Sequence, residues 1–171
     1  MSALGLAALA VAQADLVAGV RGGQPGRFES PEVAARLAAV GLDRPAPWCA
    51  AEVFHCFEVA CSTPDVDDVR GLSVPNPCPR TASALHLWEL APLQCRTQLP
   101  APGDVFIVDH GQGRGHCGIV ATVSPDGQSI TSVEGDTNAA GSSTGDAMGE
   151  HFWKPSDGAR GRLVGYLDLG A

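Results

Sequence analysis

Four side chains in this sequence could together break an amide bond: Cys49, His116, Glu134 and Asp136. Cys49 follows "PAPW" and opens the run "CAAEVFHCF", whose helical periodicity puts the thiol at the first turn of a helix. There the unpaired backbone N–H groups and the macrodipole favour an anion, so the thiol ionises more easily. The same N–H groups can hold the oxyanion of a tetrahedral intermediate. A thiolate still needs a proton carrier. His116, in "GRGHCGIV", lies at the start of a strand directly after a glycine-rich turn, where an imidazole can lean over a sheet edge. The next strand runs into "VEGD", so Glu134 closes it and Asp136 follows, each able to orient the imidazole. Taken singly, these residues have plainer readings, a core thiol and a turn histidine. Taken in this order, they form a workable thiol-hydrolase set.

That set requires helices first and strands second, and the periodicity predicts this order. Residues 3–20 read as a first helix, with Leu6, Leu9, Leu16 and Val20 at helical spacing and Gln13 as the polar exception. In "SPEVAARLAAVG", Ser30 is the N-cap, Pro31 the first helical residue and Gly41 the stop, with Val33, Leu37 and Val40 on one face. Residues 48–60 follow as a helix that buries Val53, Phe57 and Ala60. Residues 62–80, rich in Pro, Asp and Ser, read as a long loop, and "TASALHLWEL" as a short helix capped by Thr81. The period then changes. "DVFIVD", "GIVATV", "ITSVEGD" and "GRLVGYLDL" predict four strands, with the Asp-Gly of "SPDGQS" turning the chain between two of them. The expectation is a single α+β domain over residues 1–171, its N-terminal helices packed on a mostly antiparallel β-sheet. No internal repeat or linker interrupts it.

At 171 residues the chain can bury a core without help from metal or disulfides. Its formal net charge of −8, with 19 acidic against 11 basic residues and no basic run, disfavours nucleic acid and anionic lipid as partners. The opening "MSALGLAALAVAQAD" imitates a signal-peptidase site at "AQA", but no Lys or Arg precedes Arg21 and the apolar run is too short to span a bilayer. It is therefore expected to be a helix of the domain, neither a cleaved leader nor a membrane insertion. Six cysteines without a Cys-x-x-Cys pair argue against zinc-ribbon and thioredoxin chemistry. Cys56 reads as core, and Cys117 should point away from His116 into the apolar layer. Cys61, Cys78 and Cys95 are the candidates for a disulfide. His55 and His86 belong on solvated or half-buried helix faces. The "DVDD" run at 65–68 lacks the glycine turn and distal Glu of a calcium loop, so no metal is expected and no cofactor.

A likeness joins these pieces. "PWCAAEVFHCF" resembles the "PWCAxFVxWC" signature around the nucleophile of CHAP-domain peptidoglycan hydrolases, within the NlpC/P60 superfamily of papain-like cysteine amidases and peptidases. "PRTAS" is similar to that family's "PxTAS" helix start, "PAPGDVFIVDHGQGRGHCGIV" to its "PxPGDV…GHvGIV" block, and "SVEGDTN" to its "vEGNTn" strand. The resemblance runs from the first helix to the last strand. It implies a papain-like fold with Cys49 as nucleophile, His116 as general base and acid, and Glu134 as the group that orients the imidazole. Asp136 stands where the family often has Asn, an extra acid beside the imidazole. Trp48, as cleft wall beside the nucleophile, and His110, as a lip across the glycine turn, are the candidate substrate contacts.

The implied activity is hydrolysis of a peptidoglycan amide, either at the sugar–peptide junction or within the stem peptide and cross-bridge. The expected partners are muropeptides, together with a delivery route: a phage lysis or tail protein, or a secreted antibacterial effector with a cognate immunity protein. The site of action is then the cell wall, in the periplasm or outside the cell. Two other readings keep the fold. One is an amidase of a small cytosolic amide such as a glutathione–polyamine conjugate. The other is a catalytically silent module that binds wall peptides, against which the intact Cys49, His116 and Glu134 set argues.

Overall fold

Ser2 accepts the N–H of Gly5 at 3.0 Å and so starts α1 (Ala3–Ala18) in the computed structural model, which describes residues 2–24, 27–63, 75–138 and 145–170. The face that α1 buries is Gly5, Ala8, Leu9 and Ala12. The predicted stripe of larger side chains is not the buried one: Leu6 is 39% exposed. Close approach explains the difference, because a Cβ on Gly5 would lie 2.9 Å from the Gly103 carbonyl oxygen. α1 stops at Gly19, in the left-handed region with φ +72°, short of Val20.

α2 (Pro31–Ala39) begins as expected, with Ser30 accepting the Val33 N–H at 3.2 Å. Val33 and Leu37 are buried, while Val40 caps the helix end and is only half-buried. α3 (Cys49–Ser62) is the central helix. Val53, Phe57 and Ala60 are buried as the periodicity requires, and so is every residue from Cys49 to Phe54. Arg36 ties the three helices together: its Nη2 is 2.8 Å from Asp15 and its Nε 2.6 Å from Glu52. Asp15, Glu52 and Cys56 lie close enough to share a cation, but the guanidinium already binds two of them. α4 (Ala84–Leu90) is capped by Ser83, which accepts the His86 N–H at 3.3 Å. Thr81 is one step too early for that task and instead accepts the Ser83 N–H at 3.1 Å. No helix among the described residues is long and apolar enough to cross a membrane. The acidic run at 65–68 lies outside the described residues.

Among the described residues six strands, not four, form one sheet: β1 (Arg96–Thr97), β2 (Val105–Gly111), β3 (Arg114–Val123), β4 (Ile130–Thr137), β5 (Ala147–Trp153) and β6 (Arg162–Leu167). Their order is β1-β6-β2-β3-β4-β5, and all named pairs are antiparallel. The result is an α+β architecture with N-terminal helices packed on an antiparallel sheet. β1 is too short to read from sequence. β5, "AMGEHFW", hides because Gly, Glu and His interrupt any apolar run, although Met148 and Trp153 are buried.

Both faces of the sheet carry apolar clusters, which is why "DVFIVD" and "GIVATV" read as continuous rather than alternating runs. Val105, Ile107, Cys117, Ile119 and Val133 pack with the helices. Phe106, Val108, Val120, Ile130, Trp153 and Tyr166 form a second cluster on the opposite face.

Candidate active site

β3 and β4 pair from Val123↔Ile130 to Ile119↔Val133, and no further pairs follow. The first turn of α3 packs into this end of the two strands. Gly135 makes the approach possible, since a Cβ there would lie 2.7 Å from the Trp48 ring and 3.0 Å from Glu52 Cβ. Trp48 is therefore fully buried. It does not line the cleft that holds Cys49, and its burial leaves the side chain no exposed surface for the expected substrate contact. Cys49, 4% exposed, lines a cleft of about 700 Å³ beside Pro47, Ala82, His110 and Gly115.

The strands bring Cys49, His116 and Glu134 together. His116 Nε2 is 2.9 Å from Glu134 Oε2, with both side chains buried. That leaves the buried Nδ1 without a completed hydrogen bond, on a ring close enough to Cys49 for the two groups to shift each other's ionisation. Cys117, the next residue along β3, is also close to the Cys49 sulfur. Its interaction with Cys49 is the largest of the causes that bring the Cys49 pKa well below the ordinary thiol value. Burial opposes it, while the hydrogen bond and charge of His116 and the Cys117 backbone N–H reinforce it. Cys117 itself is pushed upward, chiefly by burial, and stays a thiol. Burial alone would lower the His116 pKa, but hydrogen bonds and charge from Cys49 and Glu134 raise it. Both shifts favour the thiolate–imidazolium form of the pair. The Trp48 side chain makes no capping bond, so it does not occupy the amides at the start of α3.

Glu134 is held on its remaining sides. Arg160 donates two bonds to it, each 2.6 Å, and Ser132 Oγ a third at 2.6 Å. Trp153 Nε1 in turn donates to Ser132 Oγ at 3.1 Å. Burial would raise the Glu134 pKa, but His116 and Arg160 outweigh it and bring it down to about 2. Sequence reasoning missed Arg160 and the Cys117 contact. A carboxylate this deeply placed implies a cation, yet nothing in "DGARGRLVG" marks which arginine supplies it.

Asp136 is near this group without bonding His116. It sits in an irregularity of the β4–β5 register with φ +59°, 1% exposed. The Trp48 backbone N–H acts to lower its pKa, but neither carboxylate oxygen completes a hydrogen bond. Burial, with the Cys49 charge adding to it, raises its pKa to about 8. Asp136 is thus mostly protonated at neutral pH. The folded state then binds an extra proton across the interval from an ordinary carboxylate pKa to about 8, so stability falls as pH rises through that window. Asp136→Asn should lack this slope. Its Tm relative to wild type should rise steadily from pH 5 to pH 8, with activity near pH 6 changed less than about threefold. Thermal unfolding across pH decides it, and a constant difference would mean Asp136 is ionised throughout.

His110 lines the cleft with Cys49 and also a second hollow of about 1000 Å³ bounded by Gln98, Asp109, Gly161 and Tyr166. Burial is the main cause that lowers its pKa, followed by the charges of His116 and Arg114. All six cysteines are free thiols, including Cys61, Cys78 and Cys95. His86 is exposed and His55 half-buried, 3.6 Å from Asp15. No known protein family matches the chain, and neither does any curated protein or solved structure.

Proposed function

We propose that this chain is a cysteine hydrolase of amide bonds, and that its substrate is the peptide part of bacterial peptidoglycan. One observation carries the reading: the Cys49 sulfur at the start of α3 faces a buried imidazole whose other nitrogen is fixed by Glu134 at 2.9 Å. The motif likeness to CHAP-domain hydrolases supplies the substrate class and the papain-like fold assignment, and both belong to this proposal.

The Cys49 thiolate attacks the carbonyl carbon, and the oxyanion takes hydrogen bonds from the amides at the start of α3. His116 gives its Nδ1 proton to the leaving amine, which departs as the C–N bond breaks and leaves a thioester. The neutral imidazole then takes a proton from water, whose hydroxide attacks the thioester. The carboxylate product leaves, and the thiolate and imidazolium are restored. Glu134 keeps the ring in place and stabilises its charge throughout. The two hollows that meet at His110 favour an extended peptide over a small conjugate. Such an enzyme would work in the wall, carried there by a phage particle or a secretion apparatus and held in check by an immunity protein.

Digestion of purified peptidoglycan, read by mass spectrometry of the released fragments and their new amines, tests the reading. His116→Ala should lose activity by about 10³-fold or more, whereas His110→Ala should lose less than about tenfold. The reverse ranking would move the proton carrier to the other side of the β2–β3 turn.

A further inference from the structure

The cleft that holds Cys49 has a charge character opposite to that of the whole protein. The chain carries a formal net charge of −8, yet no Asp or Glu lines this cleft among the described residues. Its two fully charged lining side chains are Arg44 and Arg114, with His86 and His110 beside them. Arg44 comes from the segment that leads into α3, and Arg114 from the start of β3 after the glycine turn. Both are exposed, and neither has an ion pair or hydrogen bond among the described residues.

Other arginines are used differently. Arg27, Arg36, Arg160 and Arg162 pair with carboxylates, while Arg80 and Arg96 bond backbone carbonyls. Of the described guanidiniums only Arg21 is likewise uncommitted, and it lies away from this cleft beside β5. Two guanidiniums from separate elements line the same cleft as the nucleophile with no acid among its lining residues, although His86 lies 3.8 Å from Glu89 behind it, and together they suit an anion. Guanidinium groups match carboxylates in geometry and stay charged at any working pH. The Cys49 thiolate repels a second anion close by, so the recognised carboxylate must flank the scissile amide rather than sit on it.

We propose that Arg44 and Arg114 select peptides that carry a free carboxylate flanking the amide to be cleaved. The inference rests on the hydrolase reading and narrows its substrate. It also gives an acidic protein a way to hold an acidic peptide: the outer surface repels the ligand, and recognition is confined to the cleft.

The test uses two synthetic muropeptide stems that differ only in whether the glutamate α-carboxyl is free or amidated. Wild type should cleave the free form with a KM roughly tenfold lower and a similar kcat. Arg44→Gln and Arg114→Gln should each raise KM for the free form about tenfold and leave the amidated form nearly unchanged. Added salt should weaken the preference. In parallel, calorimetry with Cys49→Ala measures binding of the same two peptides without turnover. Selective binding of the free form with no cleavage by wild type would keep this proposal and overturn the hydrolase reading. Equal cleavage of both forms would keep the hydrolase reading and overturn this proposal. Equal binding, or no binding of either, overturns it as well.

Discussion

Cys49→Ala is expected to lower amide hydrolysis by roughly 10⁴–10⁶-fold while unfolding within a few degrees of wild type. The residue is 4% exposed and lines the cleft, so alanine removes the nucleophile and leaves only a small void beneath it. The fold does not hang on this sulfur, because α3 is anchored by Val53, Phe57 and Ala60. Cys49→Ser should be nearly as inactive, since a hydroxyl in the same surroundings does not ionise. A direct check on the thiolate comes from alkylation with iodoacetamide at pH 6. Cys49 should react first, because Cys56, Cys61, Cys78, Cys95 and Cys117 are all shifted upward, mainly by burial. A Cys49→Ala protein that still hydrolyses within tenfold of wild type would refute the assignment of the nucleophile.

Glu134→Gln should cost both activity and stability. The amide preserves the shape and one acceptor toward His116, but it removes the charge that stabilises the imidazolium. The His116 pKa should fall and the Cys49 pKa should rise, so the pH–rate bell narrows from both sides. A loss of about 10²-fold in kcat near pH 7 is expected. The stability effect has a definite sign. A carboxylate at about 2 in the folded protein, against an ordinary value of about 4.3 when unfolded, contributes stability that is fully present above the unfolded value. That contribution disappears as pH falls through 2. Urea unfolding at pH 7 should show Glu134→Gln weaker by roughly 3 kcal/mol, because Arg160 is left without its carboxylate. At pH 2.5 the gap should shrink markedly. An unchanged gap would show that the loss comes from packing rather than charge.

What could be read in the sequence was what local rules govern. Ser30 and Pro31 mark a helix start whatever surrounds them, and the periodicity of α3 follows from its burial. Cys49 stood out because it opens α3, whereas His116 and Glu134, expected at the start and the end of their strands, lie inside β3 and β4, and β4 runs on past Asp136 to Thr137. Arg160 could not be found this way: its partner lies on a strand distant in sequence, and a lone arginine between small residues carries no local signal. Trp48 shows the opposite error. Adjacency to the nucleophile suggested a cleft wall, but the residue before a helix start faces the sheet when a glycine, here Gly135, makes room for it. Asp136 was expected to be able to orient the imidazole; it lies near enough to feel the charges of Cys49 and His116 but makes no hydrogen bond to the ring.

The position of β6 has a consequence for how the molecule is made. This strand, residues 162–167, is inserted between β1 and β2 rather than added at an edge, and Arg160 immediately precedes it. At the other side of the sheet, β5 receives the segment after α1 through Arg21↔Ala147 and the Met148 N–H bond to Val20. A ribosome delivers the chain in order, so the segment after α1 gains its strand partner only when residues near 148 emerge. The carboxylate that steadies His116 must wait for residue 160 to be neutralised. A nascent chain therefore displays Cys49 long before Glu134 gains its arginine, and a polypeptide cut short before residue 160 would bury that carboxylate without its cation.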